Sequence, residues 1–165
     1  MTTLFDITPE APAAPAAAGP RPGPFVIALP PGLFLLNSNQ RLHHKRKAEH
    51  TAAIRSAAME AVSESPSLMD ALAAAKPGVL FQRAHVLGVL HPASGRRADP
   101  ANWYPSFKAA VDGLVDAGLF EDDDHTRVVG PDMRLGRKIK GGQIALVVRG
   151  LEHGEDPLGY KAAAR

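Results

Sequence analysis

An amphipathic stretch at residues 102–117 predicts that this chain folds as a layered domain. Phe107, Val111 and Leu114 recur at positions i, i+4 and i+7, the spacing of one face of an α-helix. Gly118 follows directly, where a helix commonly ends in a left-handed glycine. Because a helix with one apolar face is stable only when that face is covered, another layer must pack against it.

Short segments on both sides of this helix predict the other layer. Apolar runs of strand character predict β-strands at residues 25–29, 79–90, 125–135 and 143–148. A helix is expected over residues 43–62, and the insertion at 63–78 holds either a second short helix or an extended arm. This order predicts an α+β domain with a small mixed or antiparallel sheet, covered by helices on one face.

Composition divides the 165 residues into three parts. Residues 1–24 consist mainly of Ala, Pro and Gly, so we expect a disordered leader. We expect the folded domain over residues 25–150 and a flexible tail over 151–165. With no cysteine, no secretory signal and no apolar run of the ~20 residues that span a membrane, the chain is expected in the cytoplasm, without disulfides or membrane association.

The charges are segregated along the sequence, although the net charge is only +2. Residues 37–58 carry five cations and one anion, residues 99–124 carry seven anions and one cation, and residues 127–149 carry six cations and one anion. Basic segments around an acidic centre favour a polyanion as partner, with metal ions bridging it to the acidic residues. The alternative is a solvated surface on which charges happen to cluster.

The acidic segment contains the candidate catalytic residues. Asp99 ends one loop, Asp122 and Asp123 lie in another, and the helix that carries Lys108 and Asp112 joins the two loops. Mg²⁺ prefers oxygen ligands and commonly takes one or two carboxylates, and a nearby lysine would offset the charge that develops during phosphodiester hydrolysis. Two simpler interpretations remain open: a solvated acidic turn, and an ordinary i, i+4 ion pair on the helix.

Basic and polar residues, most of them outside the acidic segment, are candidate contacts to a phosphate backbone. His43 and His44 are adjacent and lack the i, i+4 spacing of a zinc site, so phosphate contacts suit them better. Trp103 and Tyr104 could stack on bases or simply pack at a helix start. No glycine-rich nucleotide-binding motif is present, so no nucleotide cofactor is expected. The candidate DNA-binding residues are Asn39, Arg41, His43, Lys45, Arg46, Lys47, Arg97, Asn102, Arg137, Lys138 and Lys140.

Three stretches in this order resemble the RusA family of Holliday-junction resolvases. They are RRADPAN at residues 96–102, KAAVDGL at 108–114 and AGLFEDD at 117–123. Two flanking features resemble the same family: PP at 30–31 followed by LNSN at 36–39, and KGG at 140–142. The likeness covers roughly residues 25–148.

The resemblance implies a small α+β homodimer that cuts four-way DNA junctions with Mg²⁺ during recombination and repair. Proteins of this family are often encoded by phages or prophages. By position, Lys108 matches the catalytic lysine, and Asp99 and Asp123 match carboxylates that are both catalytic and metal-binding. Asp112 and Asp122 are the further metal ligands that the resemblance suggests.

The chain departs from the family pattern in two places. Ala101 stands where the family has a second aspartate, and Lys108 lies six residues after Asn102 instead of three. Aligned on Lys108, the chain has Asn102 in place of Asp99 at the first carboxylate position. Either alignment leaves one ligand short.

Asp112, Asp122 or Asp124 could compensate for the missing ligand, because Mg²⁺ accepts water in vacant positions. The resemblance therefore still implies an active endonuclease, with Asp99 and Asp123 as principal ligands. The alternatives are a catalytically impaired junction-binding protein and, more remotely, a protein-interaction role for the basic helix.

Overall fold

The computed structural model describes residues 23–157 and shows an α+β domain built on one four-stranded sheet. The strands are β1 (Phe25–Ala28), β2 (Ala84–His91), β3 (Val128–Leu135) and β4 (Gln143–Gly150). Their order across the sheet is β1-β4-β2-β3. Strands β2 and β3 are parallel, and the other neighbouring pairs are antiparallel. The predicted α+β class with a small mixed sheet is confirmed.

Three α-helices and one short 3-10 helix complete the described part of the chain. They are α1 (His44–Ser63), α2 (Pro66–Ala75), the 3-10 helix (Pro100–Trp103) and α3 (Tyr104–Asp116). The insertion therefore contains a helix. The predicted 102–117 helix begins as a 3-10 turn, and α3 starts with Pro105 in its first turn, where a missing backbone N–H is tolerated. No helix within residues 23–157 has the length and apolarity needed to cross a membrane.

One face of the sheet carries the core. Along β2, buried and half-buried residues alternate, so one side of this central strand is more deeply covered than the other. Phe107, Val111 and Leu114 of α3 are all buried, which confirms the apolar face predicted from their spacing. Phe107 lies against Gly88 of β2, where an added Cβ would come within 2.6 Å of its ring. Only glycine allows α3 to approach the sheet this closely.

Helix α3 also packs closely against α1. A Cβ on Gly113 would lie 2.4 Å from the carbonyl oxygen of Arg55 and 2.9 Å from the Cβ of Ala58. Beside this contact, Arg55 Nη2 donates to Asp116 Oδ1 at 2.6 Å, and its Nε donates to the second oxygen of the same carboxylate. The two helices are therefore held in one alignment, which sets the cations of α1 relative to the residues of α3.

The first residues after β4 contact the domain. Leu151 is buried, Arg149 Nη1 donates to Glu155 Oε1 at 2.8 Å, and Arg83 Nη1 donates to the carbonyl oxygen of Glu155 at 2.5 Å. Most of the predicted leader and the end of the predicted tail lie outside the described residues. The expectations of a disordered leader and a flexible tail remain predictions.

We predict that Gly113→Ala lowers the free energy of unfolding by about 1–3 kcal/mol, because the new methyl group meets the backbone of α1. This loss outweighs the gain of up to ~1 kcal/mol that alanine brings to a helix interior. Urea denaturation measures the difference. Gly95→Ala is the matched control, since no heavy atom lies within 4 Å of its Cβ position. Equal stability of the two variants would contradict the close packing of α1 and α3.

Candidate active site

Lys108 joins two carboxylates that come from different parts of the fold. Its Nζ donates to Asp112 Oδ1 at 2.5 Å, one turn further along α3. It also forms an ion pair with Asp123 Oδ2, in the loop between α3 and β3. The structure thus brings together three of the predicted catalytic and metal-binding residues.

The loop reaches Lys108 because the chain reverses at the end of α3. Gly118 has a φ of +85°, which confirms the predicted left-handed end of the helix, and the N–H of Leu119 donates back to the Leu114 carbonyl at 3.0 Å. Leu119 and Phe120 are then buried in the core. The N–H of Phe81 donates to the Leu119 carbonyl at 2.9 Å. With these two apolar residues anchored, the acidic residues that follow emerge beside α3.

The contacts of Lys108 fix the charge of the site. Partial burial disfavours the ammonium ion, but the hydrogen bonds to Asp112 and Asp123 outweigh it and raise the pKa of Lys108 above its usual value. The hydrogen bond from Lys108 lowers the pKa of Asp123 below its usual value, against the opposite effect of partial burial. At neutral pH, Lys108 is therefore a cation that can offset negative charge, and it cannot serve as a general base.

The donor atoms at this site fit a magnesium ion that keeps several other ligands. Asp112 and Asp123 meet at one ammonium group and offer two carboxylates, the number that Mg²⁺ commonly takes beside waters and phosphate oxygens. Within residues 23–157, no three His, Asp or Glu side chains gather closely enough to hold a metal on their own. An ion here would therefore depend on water and substrate for its remaining ligands.

Asp122 lies next to this group but its carboxylate also contacts the backbone. Asp122 Oδ1 accepts a hydrogen bond from the N–H of Asp123 at 2.7 Å. The Asp124 carboxylate also contacts the backbone: its Oδ1 accepts a hydrogen bond from the N–H of Thr126 at 2.6 Å. These two carboxylates shape the loop that presents Asp123.

Asp99 lies at the start of the 3-10 helix and is exposed. Its Oδ1 accepts a hydrogen bond from the N–H of Ala101 at 3.0 Å, so the carboxylate serves as an N-cap. No hydrogen bond or ion pair connects Asp99 with Lys108, Asp112 or Asp123 in the described part of the chain. The sequence carried a signal for this role, because aspartate followed by proline is typical of a helix start.

The predicted phosphate-binding cations surround the start of α1. Arg41, Lys45, Arg46 and Lys47 are all exposed there, and His43 Nδ1 accepts from the N–H of Lys45 at 3.4 Å. The first turn of α1 contains no acidic residue. The N-terminus of a helix already carries partial positive charge, so further cations there destabilise the helix by electrostatic repulsion. The combined positive charge attracts an anion.

The other predicted DNA-binding residues lie in three places. The N–H of Ser38 donates to the Asn102 carbonyl at 2.7 Å, which brings the loop of Asn39 to the start of α3. Arg97 lies in the loop after β2. The remaining three are exposed between β3 and β4: Arg137, Lys138 and Lys140.

Ser106 is a positioning residue that sequence reasoning missed. It is fully buried, its Oγ accepts from the N–H of Leu36 at 2.6 Å, and it donates to the Leu36 carbonyl at 3.0 Å. These bonds fasten the loop before α1 to α3. A serine inside a helix gives no sequence signal for such a distant contact.

No protein-family model matches the chain, and no curated protein is significantly similar to it. The likeness to RusA resolvases therefore rests on the short stretches named above. The chemical interpretation of the site rests on the contacts of Lys108 with Asp112 and Asp123.

We predict that, in the acidic range, the free energy of unfolding of Asp123→Asn changes less with pH than that of the wild-type protein. A carboxyl group whose pKa is lowered by folding stabilises the protein above its unfolded pKa of about 3.9, and this contribution disappears as the pH falls through the folded pKa. The variant should be less stable by roughly 0.5–1 kcal/mol at neutral pH. The difference should approach zero once the pH has fallen below the folded pKa of Asp123.

Urea denaturation at a series of pH values tests this prediction. Asp70→Asn is the matched control, since Asp70 is exposed on α2, away from Lys108. A constant difference between wild type and Asp123→Asn at every pH would show that the Lys108–Asp123 ion pair does not stabilise the fold.

Proposed function

We propose that this chain is a magnesium-dependent, structure-selective DNA endonuclease that resolves four-way junctions in recombination and repair. The observation that carries the proposal is the position of Lys108 between the carboxylates of Asp112 and Asp123. A permanent cation beside two ionised oxygen donors provides both the ligands and the charge-offsetting group for phosphodiester hydrolysis. The order of the RusA-like stretches supports the same activity.

The proposed roles follow from the charge state of each group. Asp112 and Asp123 hold the ion, and Asp99 and Asp122 are the further candidate ligands. When bound, Mg²⁺ lowers the pKa of a water molecule and stabilises negative charge on the phosphate. Lys108 holds the two carboxylates together before the substrate arrives and then offsets the charge that builds up on the phosphate oxygens.

The basic surfaces supply the proposed DNA contacts. The cations at the start of α1 and those between β3 and β4 would bind backbone phosphates, so the affinity should fall steeply with added salt. A four-way junction is two-fold symmetric, which suits a symmetric homodimer with one site for each of two opposed strands. Such an enzyme would act in the cytoplasm, on nucleoid or phage DNA.

A second candidate function is junction binding without cleavage. It is favoured by the position of Asp99, whose carboxylate caps the 3-10 helix and has no contact with the Lys108 group in the described structure. Ala101 supplies no carboxylate where RusA-like proteins have one. In this case the protein would retain the basic surfaces and lack a competent metal site.

Cleavage of a labelled four-way junction tests the proposed nuclease. With Mg²⁺, the wild-type protein should make paired symmetric nicks in the junction and leave a linear duplex of the same sequence intact. Asp123→Asn and Lys108→Met should each slow cleavage on the order of 100-fold, as expected for loss of a charge-stabilising group. Asp70→Asn should cleave at the wild-type rate.

Two results would overturn the proposed nuclease. Wild-type rates for both Asp123→Asn and Lys108→Met would show that the cleavage comes from elsewhere. Tight binding of the junction without nicks in Mg²⁺ or Mn²⁺ would establish the second candidate function.

A further inference from the structure

A cleft near the start of α3 has no part in the proposed chemistry. Its walls are the loop after β1, the end of β2, the loop leading to the 3-10 helix and the glycine turn before β4. The volume is about 520 Å³, within the range of sites for small organic ligands. The cleft is therefore large enough for one nucleotide.

The charged residues that line the cleft are basic, and most of the other lining residues are apolar. The lining contains Arg96, Arg97 and His91 and no acidic side chain. Both arginines are exposed, and neither has an ion-pair partner among residues 23–157. His91 Nδ1 donates to the Arg137 carbonyl at 2.8 Å, which orients its ring. Arginine presents a planar group of donors that matches a phosphate, so the cleft is suited to an anionic ligand.

Two aromatic side chains lie on the walls of the same cleft. Trp103 is half-buried there, and Phe34 remains 45% exposed. The Phe34 ring is stacked on His50, with ring centroids 4.0 Å apart and an angle of 18° between the planes. An aromatic ring that is held in place yet exposed offers a flat surface on which a nucleic-acid base can stack.

The glycine turn leaves one wall of the cleft without side chains. Gly141 and Gly142 have φ values of +86° and +74°, which favour glycine. The N–H of Gly32 donates to the Gly142 carbonyl at 2.9 Å, and a Cβ on Gly141 would lie 3.0 Å from Gly32. The two turns thus hold each other in place and present bare backbone to the cleft.

We propose that this cleft binds one unpaired nucleotide of the DNA substrate. The base stacks on Trp103 and Phe34, and the phosphate is held by Arg96 and Arg97. The inference rests on the proposed function and names the part of the substrate that this cleft recognises. Trp103 ends the 3-10 helix that leads directly into α3, the helix that carries Lys108.

This site explains how the protein distinguishes branched from linear DNA. In a duplex the bases are stacked and paired, and placing one on a protein aromatic ring requires breaking those contacts. Nucleotides at a branch point are more easily unstacked. A base-binding cleft therefore favours junctions without reading a particular sequence.

Fluorescence of Trp103 tests the proposal directly, because it is the only tryptophan in the chain. The full-length protein, without divalent metal, is titrated with a short single-stranded oligothymidylate, with a matched duplex and with thymidine monophosphate. The single strand should quench the fluorescence in a saturable way and bind at least about tenfold more tightly than the duplex. Thymidine monophosphate carries the one base and one phosphate that the cleft holds, so it should quench as well.

Variants distinguish binding in the cleft from general electrostatic attraction between the protein and DNA. Replacing both arginines, Arg96→Gln with Arg97→Gln, should weaken the binding that quenches Trp103 by about tenfold or more, since two charged contacts are lost. Lys76→Gln is the matched control. Lys76 lines a groove with Gly118 at the far end of α3, so its loss should leave the titration unchanged.

Several outcomes would overturn the proposed nucleotide site. They are an absence of quenching by the single strand, equal binding of duplex and single strand, and equal effects of the arginine and lysine variants. Junction cleavage, measured on the same samples, separates the two proposals. If the protein cleaves junctions but DNA does not quench its fluorescence, the nucleotide site is refuted and the nuclease is not. If DNA quenches the fluorescence but junctions are never cleaved, the nuclease is refuted and the nucleotide site is not.

Discussion

The approach of α3 to the sheet on one side and to α1 on the other fixes where Lys108 and Asp112 lie. Phe107 lies against Gly88, and Gly113 lies against the backbone of α1, at distances that leave no space for a Cβ at either glycine. With both contacts made, the helix cannot rotate without a clash. Lys108 and Asp112 are therefore left on the partly exposed edge, where the loop after α3 can reach them.

The ion pair of Lys108 with Asp112 on α3 becomes part of a candidate site because Asp123 joins it from another element. A lysine and an aspartate four residues apart on a helix surface stabilise it only weakly, by about 0.2–0.5 kcal/mol. A second carboxylate from another element is different, because two like charges repel each other unless a cation lies between them. Lys108 fills this role in the described structure, and the same two carboxylates suit a divalent cation.

The sequence predicted the elements more fully than the contacts between them. The spacing of the apolar residues located the buried face of α3, and Gly118 located its end. The ion pair of Lys108 with Asp112 also followed from spacing within one helix. The contact with Asp123 did not, because it depends on how the core holds the loop after α3. The cap made by Asp99 was not predicted, although aspartate before proline is typical of a helix start. The buried hydrogen bonds of Ser106 depend on a residue 70 positions away.

Binding of Mn²⁺ to the purified protein, followed by electron paramagnetic resonance and competed with Mg²⁺, most directly tests whether Asp112 and Asp123 form a metal site. The proposed nuclease requires one site per chain for which the two ions compete. Asp123→Asn should weaken it by at least about tenfold, and Asp70→Asn should leave it unchanged. No binding at all, or binding that Asp123→Asn leaves unaltered, would contradict a metal-dependent active site at Lys108.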